Sequence, residues 1–150
     1  MNEIIKDIID FVSKTFPKIH ASLYLESLKE YASNTDVNRT QLRALVFIKN
    51  NGEITMTDLC EKLNIEKGSL TTMVDDLNKK GYLTRTRDSR DRRKYILNLT
   101  SEGDNIAKDF LEELGDKLEK KFLELDKNDR EKFMVSIKNL EDILVKEDFK

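Results

Sequence analysis

A single cysteine, Cys60, allows no internal disulfide, and a chain built this way is expected in the cytoplasm. One proline and five glycines in 150 residues leave too few turn formers for a strand-and-turn architecture, so helices are expected instead. No apolar run approaches the roughly 18 residues of a membrane span. The N-terminus has no basic stretch followed by an unbroken apolar core, so neither a membrane anchor nor a signal peptide is expected. One histidine, one cysteine, no glycine-rich phosphate loop and no cluster of metal ligands leave no nucleophile–base pair to name. The sequence therefore predicts no enzyme, no cofactor and no metal. Cys60 has acidic sequence neighbours in Glu53 and Glu61, which disfavour a reactive thiolate, so a redox role is not expected either.

What the chain does have is charge, unevenly placed. The net charge is −2, yet the segment from Lys79 to Lys94 holds eight basic and two acidic residues, a local +6 that leaves −8 on the remainder. A basic patch on an acidic body is the footprint of a phosphate-binding surface. Charge alone leaves open the plainer reading, a solvated face.

Apolar spacing places the helices. Ile5, Ile8, Ile9, Val12 and Phe16, then Ile19, Leu23 and Leu28, predict one long N-terminal helix or two segments meeting at Pro17. After the polar break "ASNTDVN", Leu42, Leu45, Val46 and Ile48 predict a second helix that stops at Asn50-Asn51-Gly52. Thr55, with Asp58 three residues on, begins a short helix carrying Leu59 and Leu63. Leu70, Val74 and Leu77 define the next, which ends at Gly81. A short helix, a tight turn and a longer helix make a helix-turn-helix, although any helical hairpin has the same spacing.

The following residues decide between the two. Tyr82 to Thr86 and Tyr95 to Leu99 read as strands, the second with Tyr95, Leu97 and Leu99 on one face. Between them lies the polar tip "RDSRDRR". A basic-tipped β-hairpin directly after a helix-turn-helix is a winged helix. Thr100 then caps a helix bearing Ile106, Phe110, Leu114, Leu118, Phe122 and Leu125 on one face. Asp126 caps a last one bearing Phe133, Ile137, Leu140 and Leu144. The fold class is mostly α with a small β-hairpin, a winged helix-turn-helix flanked by long terminal helices.

The wing "RDSRDRRKYILNLTSEG", together with "TQLRALVFI" and "LCEKLNIEKGSLTTMVDDLNKKGYLTR" before it, resembles the MarR family of winged-helix regulators. The wing fits that family's pattern of D-x-R, paired arginines and L-T-x-x-G. The resemblance implies a double-stranded DNA-binding transcriptional regulator without enzymatic activity. It implies a homodimer joined through residues 1–36 and 101–150, with residues 37–100 as the DNA-binding lobe. It further implies a repressor on a pseudo-palindromic operator, released by a small amphipathic or phenolic effector.

Carried onto this chain, the recognition helix covers Lys67 to Lys80. Lys67, Ser69, Thr71 and Thr72 are its base-edge and phosphate candidates, and Thr40 and Gln41 approach phosphates from the second helix. Arg85, Arg87, Arg90 and Arg92 belong to the wing, and Asp88 or Asp91 holds an arginine in place. An extended guanidinium suits a minor groove too narrow for a helix. His20 and Tyr24, one turn apart, are candidates to line an effector pocket between the terminal helices and the lobe. Two departures stand out: Thr72 replaces an arginine common in the family, and Asp75 and Asp76 make the middle of the recognition helix acidic. The second favours an alternative, a winged-helix adaptor whose basic wing meets an acidic protein partner.

Overall fold

The structure, a computed structural model, describes residues 2–146. Residue 1 and residues 147–150, the extreme ends of the expected dimerisation region, lie outside the described part. The chain divides into two compact units, one ending at Leu114 and one beginning at Gly115.

Helix α1 runs without a break through residues 3–33, capped by Asn2, whose Oδ1 accepts the Ile4 N–H at 3.1 Å. Pro17 neither ends nor splits it. A proline inside a helix has no N–H to donate, and its ring crowds the carbonyl of the preceding turn. The chain adapts by widening into π-turns at Phe11–Thr15 and Ala21–Leu25, on either side of that residue. There the Phe16 N–H donates to Phe11 and the Glu26 N–H to Ala21, five residues back. The first half of α1 buries nothing: Ile4, Ile8, Val12 and Phe16 are each more than half exposed.

Helix α2 (Arg39–Asn51) opens on a full capping box. Asn38 Oδ1 accepts the N–H groups of Thr40 and Gln41, each at 3.0 Å, and Gln41 Oε1 accepts the Asn38 N–H at 2.9 Å. It ends at Gly52, whose φ of 73° an L side chain would resist. Strand β1 (Ile54–Thr55) leads into α3 (Met56–Leu63), where Thr55 Oγ1 accepts the Asp58 N–H at 3.1 Å. Asn64 turns the chain in the left-handed conformation, φ 52°, and α4 (Lys67–Lys79) follows.

Strands β2 (Leu83–Arg87) and β3 (Tyr95–Leu99) pair antiparallel, with Leu83 opposite Leu99 and Arg87 opposite Tyr95. β1 adds to the other edge of β3, Ile54 opposite Leu97, so the sheet has three strands rather than the two of a bare hairpin. Two residues are too few to show period-two alternation, which is why the third strand is invisible in the sequence. Thr100 caps α5 (Ser101–Leu123) as expected, its Oγ1 accepting the Gly103 N–H at 3.1 Å.

One apolar core holds the first unit together. Leu28 and Tyr31 of α1, Leu45 of α2, Leu59 of α3, Val74 and Leu77 of α4, Leu97 of β3 and Phe110 of α5 belong to it. Phe110, 1% exposed, meets the Tyr31 and Tyr24 rings edge-on at 5.6 and 6.0 Å. The helix-turn-helix therefore packs directly on both flanking helices. In the second unit, Asp126 caps α6 (Lys127–Lys146), and the Phe122 and Phe133 rings lie 5.6 Å apart. Phe133, Ile137, Leu140 and Leu144 form the expected stripe on α6, and all four are exposed. Among the described residues no helix is long and apolar enough to cross a membrane.

Candidate nucleic-acid interface

Leu70, Met73, Val74 and Leu77 turn one face of α4 inward, which leaves Lys67, Ser69, Thr71 and Thr72 on the exposed remainder. The structure sorts the expected contacts into three places. Ser69 and Thr72 share an open cleft of about 1200 Å³ with Thr40 of α2. Lys67 and Thr71 line a smaller cavity of about 220 Å³ together with Arg85, Arg93, Lys94 and Tyr95 of the hairpin. Arg87, Arg90 and Arg92 stand outside both, exposed on the wing. The Thr71 and Thr72 hydroxyls donate to the carbonyls of Lys67 and Gly68, at 2.9 and 3.2 Å. Each oxygen keeps lone pairs that can accept from a base or a bridging water.

The wing tip is built by its own carboxylates. Asp88 Oδ1 accepts the N–H groups of Arg90 and Asp91 at 2.6 and 3.1 Å, and these two bonds hold its carboxyl below the usual range. The Lys94 N–H donates to the Asp91 carbonyl at 2.8 Å, and the Asp88 N–H to the Lys94 carbonyl at 3.0 Å, which closes the loop. Asp91 takes Arg93 at 3.1 Å, and that guanidinium is the main reason its carboxyl also sits low. Of the two expected internal partners, Asp91 holds an arginine side chain, and Asp88 holds the backbone. Among the described residues, the Arg90 and Arg92 side chains make no hydrogen bond or ion pair. The tip spends its acids on shape and leaves two guanidinium groups projecting.

Two expected contact residues face inward. Gln41 is 3% exposed, and its amide is occupied at both ends: Oε1 by the capping box and Nε2 by Asp76 at 2.5 Å. It organises the start of α2 rather than reaching out from it. The motif was readable, since Asn38 and Gln41 have the capping-box spacing. Arg85 lies against the Tyr95 ring, 3.8 Å from its centre, and its Nη1 is 3.4 Å from Asp75 Oδ1. It ties the hairpin to α4. The Tyr95 hydroxyl in turn is made more acidic, mainly by its hydrogen bond with Arg87.

These contacts also change the meaning of the acidic helix middle. Asp75 is matched by Arg85, and Asp76 by Lys80 at 3.1 Å. Lys80 and then Gln41 hold the Asp76 carboxyl below the usual range. Sequence reading missed Arg39 and Lys79, exposed cations that line the same cleft as Ser69 and Thr72. Their adjacency to Thr40 and their place on α4 were the available signals.

Cys60 is half-buried, and its thiol donates to the Ile65 carbonyl at 2.9 Å. It borders the smaller cavity with Lys67, Arg85, Arg93 and Lys94, not with Glu53 or Glu61. His20 is exposed on α1, its ring 6.0 Å from Phe16 and 5.4 Å from Tyr24. Tyr24 is half-buried, and burial raises its hydroxyl pKa. The two expected effector residues thus belong to a row of rings along α1 that ends on Phe110.

Comparison with known proteins agrees with this geometry. Residues 35–94 match a family model described as MarR family. The chain is 30% identical over 103 residues to the HTH-type transcriptional repressor MdtR of Bacillus subtilis, a match covering 69% of this chain and 63% of that protein. It is 34% identical to the HTH-type transcriptional regulator SarZ of Staphylococcus aureus, over 55% of this chain and 53% of that one. The chain thus spans between half and two thirds of the length of these curated relatives. A transcriptional regulator from Thermotoga maritima superposes with a TM-score of 0.75 at 25% identity, covering 93% of this chain and 97% of that one. Wild-type MarR of E. coli gives 0.67 at 27% identity, over 77% and 85%.

Proposed function

The chain belongs to the MarR family, and on that premise we propose that it binds double-stranded DNA as a homodimer and regulates transcription in the cytoplasm. One observation carries the reading. Lys67 and Thr71 at the start of α4 border a single cavity with Arg93 and Lys94 of the wing, while Arg90 and Arg92, with no ion-pair partner among the described residues, stand exposed at its tip. A helix presenting polar side chains beside a basic hairpin suits a major groove and the adjoining minor groove. Ser69, Thr71 and Thr72 read base edges in this proposal. Lys67, Thr40, Arg39 and Lys79 meet phosphates, and Arg87, Arg90 and Arg92 follow the backbone or enter the minor groove.

Dimerisation is supported by apolar surface that the single chain leaves uncovered. Ile4, Ile8, Val12 and Phe16 form one such face on α1, and Phe133, Ile137, Leu140 and Leu144 form another on α6. Isolated exposed apolar residues are ordinary, but contiguous stripes mark interfaces. A symmetric pair would place two copies of α4 about 34 Å apart, one turn of duplex, and so select an inverted repeat. We further propose repression, relieved when a small amphipathic or phenolic molecule settles near His20 and Tyr24 and shifts the population away from the docking spacing. The expected result of sedimentation at micromolar concentration is a species of twice the chain mass, and one such dimer per operator duplex. A monomer would remove the inverted-repeat proposal.

A further inference from the structure

Adjacent residues on a helix point about 100° apart, and α4 uses that divergence. Asp75 reaches to one side, to Arg85 on the hairpin, while Asp76 reaches to the other, to Gln41 at the start of α2. The second tether is the more deeply set. Gln41 is nearly buried, and its Nε2 donates to Asp76 Oδ2. Lys80 Nζ donates to that same carboxylate oxygen at 3.1 Å and to the Asp36 carbonyl at 2.6 Å. The Tyr82 hydroxyl donates to Asp36 Oδ1 at 2.8 Å. One carboxylate therefore joins the loop before α2, the first turn of α2 and the C-terminal half of α4.

We infer that Asp76 is a positioning residue: tied to Gln41 and Lys80, it fixes the roll of α4 against α2 and so decides how Ser69 and Thr72 are presented. The inference rests on the DNA-binding reading above. Apolar burial presses α4 onto the core but is non-directional, so Leu70, Val74 and Leu77 alone define its roll loosely. A hydrogen bond has a narrow angular range and can define it closely. The cleft that holds Ser69 and Thr72 is lined by Thr40 and Gln41 of α2 and by Asp76 of α4, so any roll of α4 moves the reading residues relative to α2. Without Asp76, the Gln41 amide would keep a buried donor with no partner, which costs more than an ordinary lost bond.

The test inverts the bond. Gln41→Glu preserves the capping box, because glutamate serves at that position as glutamine does. It removes the amide donor and sets a second carboxylate beside Asp76, with the single Lys80 ammonium, 3.1 Å from Asp76 Oδ2 and 3.5 Å from Gln41 Oε1, left to offset both. Asp76→Asn added to it restores the bond with donor and acceptor exchanged. The readouts are the ratio of affinities for a selected operator and a scrambled duplex of equal length, the slope of affinity against salt, and the melting temperature. Gln41→Glu is expected to reduce the operator preference roughly tenfold, the scale of coupling between contacting residues. The double variant is expected to recover most of it. Asp76→Asn alone keeps an acceptor for Gln41 but loses the charge that holds Lys80, so its preference is expected to fall between those of the parent and of Gln41→Glu. If Gln41→Glu lowers the melting temperature but keeps the operator preference, or if the double variant recovers nothing, Asp76 does not position the helix. A parent protein that binds duplex with no preference would overturn the DNA-reading proposal itself, and this inference with it.

Discussion

Replacing Arg90 and Arg92 with alanine is expected to weaken binding to every duplex, selected or scrambled, by a similar factor. Among the described residues neither guanidinium group has a hydrogen-bond or ion-pair partner, so their removal breaks no such bond inside the wing. The tip is closed by Asp88 and Asp91 through backbone bonds that both substitutions retain. What is lost is contact with phosphate or with the negative potential of a narrow groove. Each charged hydrogen bond is worth on the order of 1.5–3 kcal/mol, and a dimer loses each contact twice. Each lost phosphate contact also removes about 0.9 from the slope of log K against log salt, so each arginine should cost the dimer roughly two units. A salt series on both duplexes, with a melting curve as control, measures all of this. Unchanged affinity and slope would mean that the wing does not meet nucleic acid.

Gly103→Ala is the substitution expected to damage the fold most for its size. Gly103 lies in the first turn of α5, where a Cβ would stand 1.8 Å from the Tyr82 carbonyl oxygen and 2.8 Å from its carbon. The clash is with backbone, which has no rotamer to change. That carbonyl also accepts the Thr100 N–H at 3.1 Å, and Thr100 Oγ1 donates to the Gly81 carbonyl at 2.6 Å. The Thr100 and Gly103 of the L-T-x-x-G signature thus lock the start of α5 onto the residues that lead into β2. Overpacking costs about 1–3 kcal/mol, and the upper end applies where backbone must move. At roughly 2–4 °C per kcal/mol for a chain of this size, the melting temperature should fall by about 6–12 °C. Gly115→Ala, where an added Cβ meets nothing within 4 Å, is the matched control and should not lower it.

The helices were legible because their signals are local. Apolar spacing and cap residues lie within a few positions of one another, and Asn38, Thr55, Thr100 and Asp126 all cap as their side chains suggest. The hairpin was legible for the same reason, with polar turn formers between two strand-like runs, the second of them alternating. The accommodation of Pro17 was not, because a π-turn is a property of backbone bonding and leaves no composition signature. Nor were Arg85 as the partner of Asp75 and Gln41 as a partner of Asp76, 10 and 35 residues away, although the Asp76–Lys80 pair lies at the local i,i+4 spacing. Read along the chain, two consecutive acids look like repulsion toward DNA and favour a protein partner. In the fold each is matched by a cation or an amide, and the argument for an acidic partner loses its main support. Arg85 shows the converse: it reads as one more wing cation, but the structure sets it against Tyr95 and Asp75 as a strut.

Selection of bound sequences from a pool of random duplexes, using the full chain at moderate salt, tests the central claim most directly. It asks at once whether the protein reads DNA and whether it does so as a symmetric pair. The expected result is enrichment of an inverted repeat whose half-sites lie about one helical turn apart. No enrichment over the starting pool, or a single unrepeated site, would contradict the account of two recognition helices presented by a dimer.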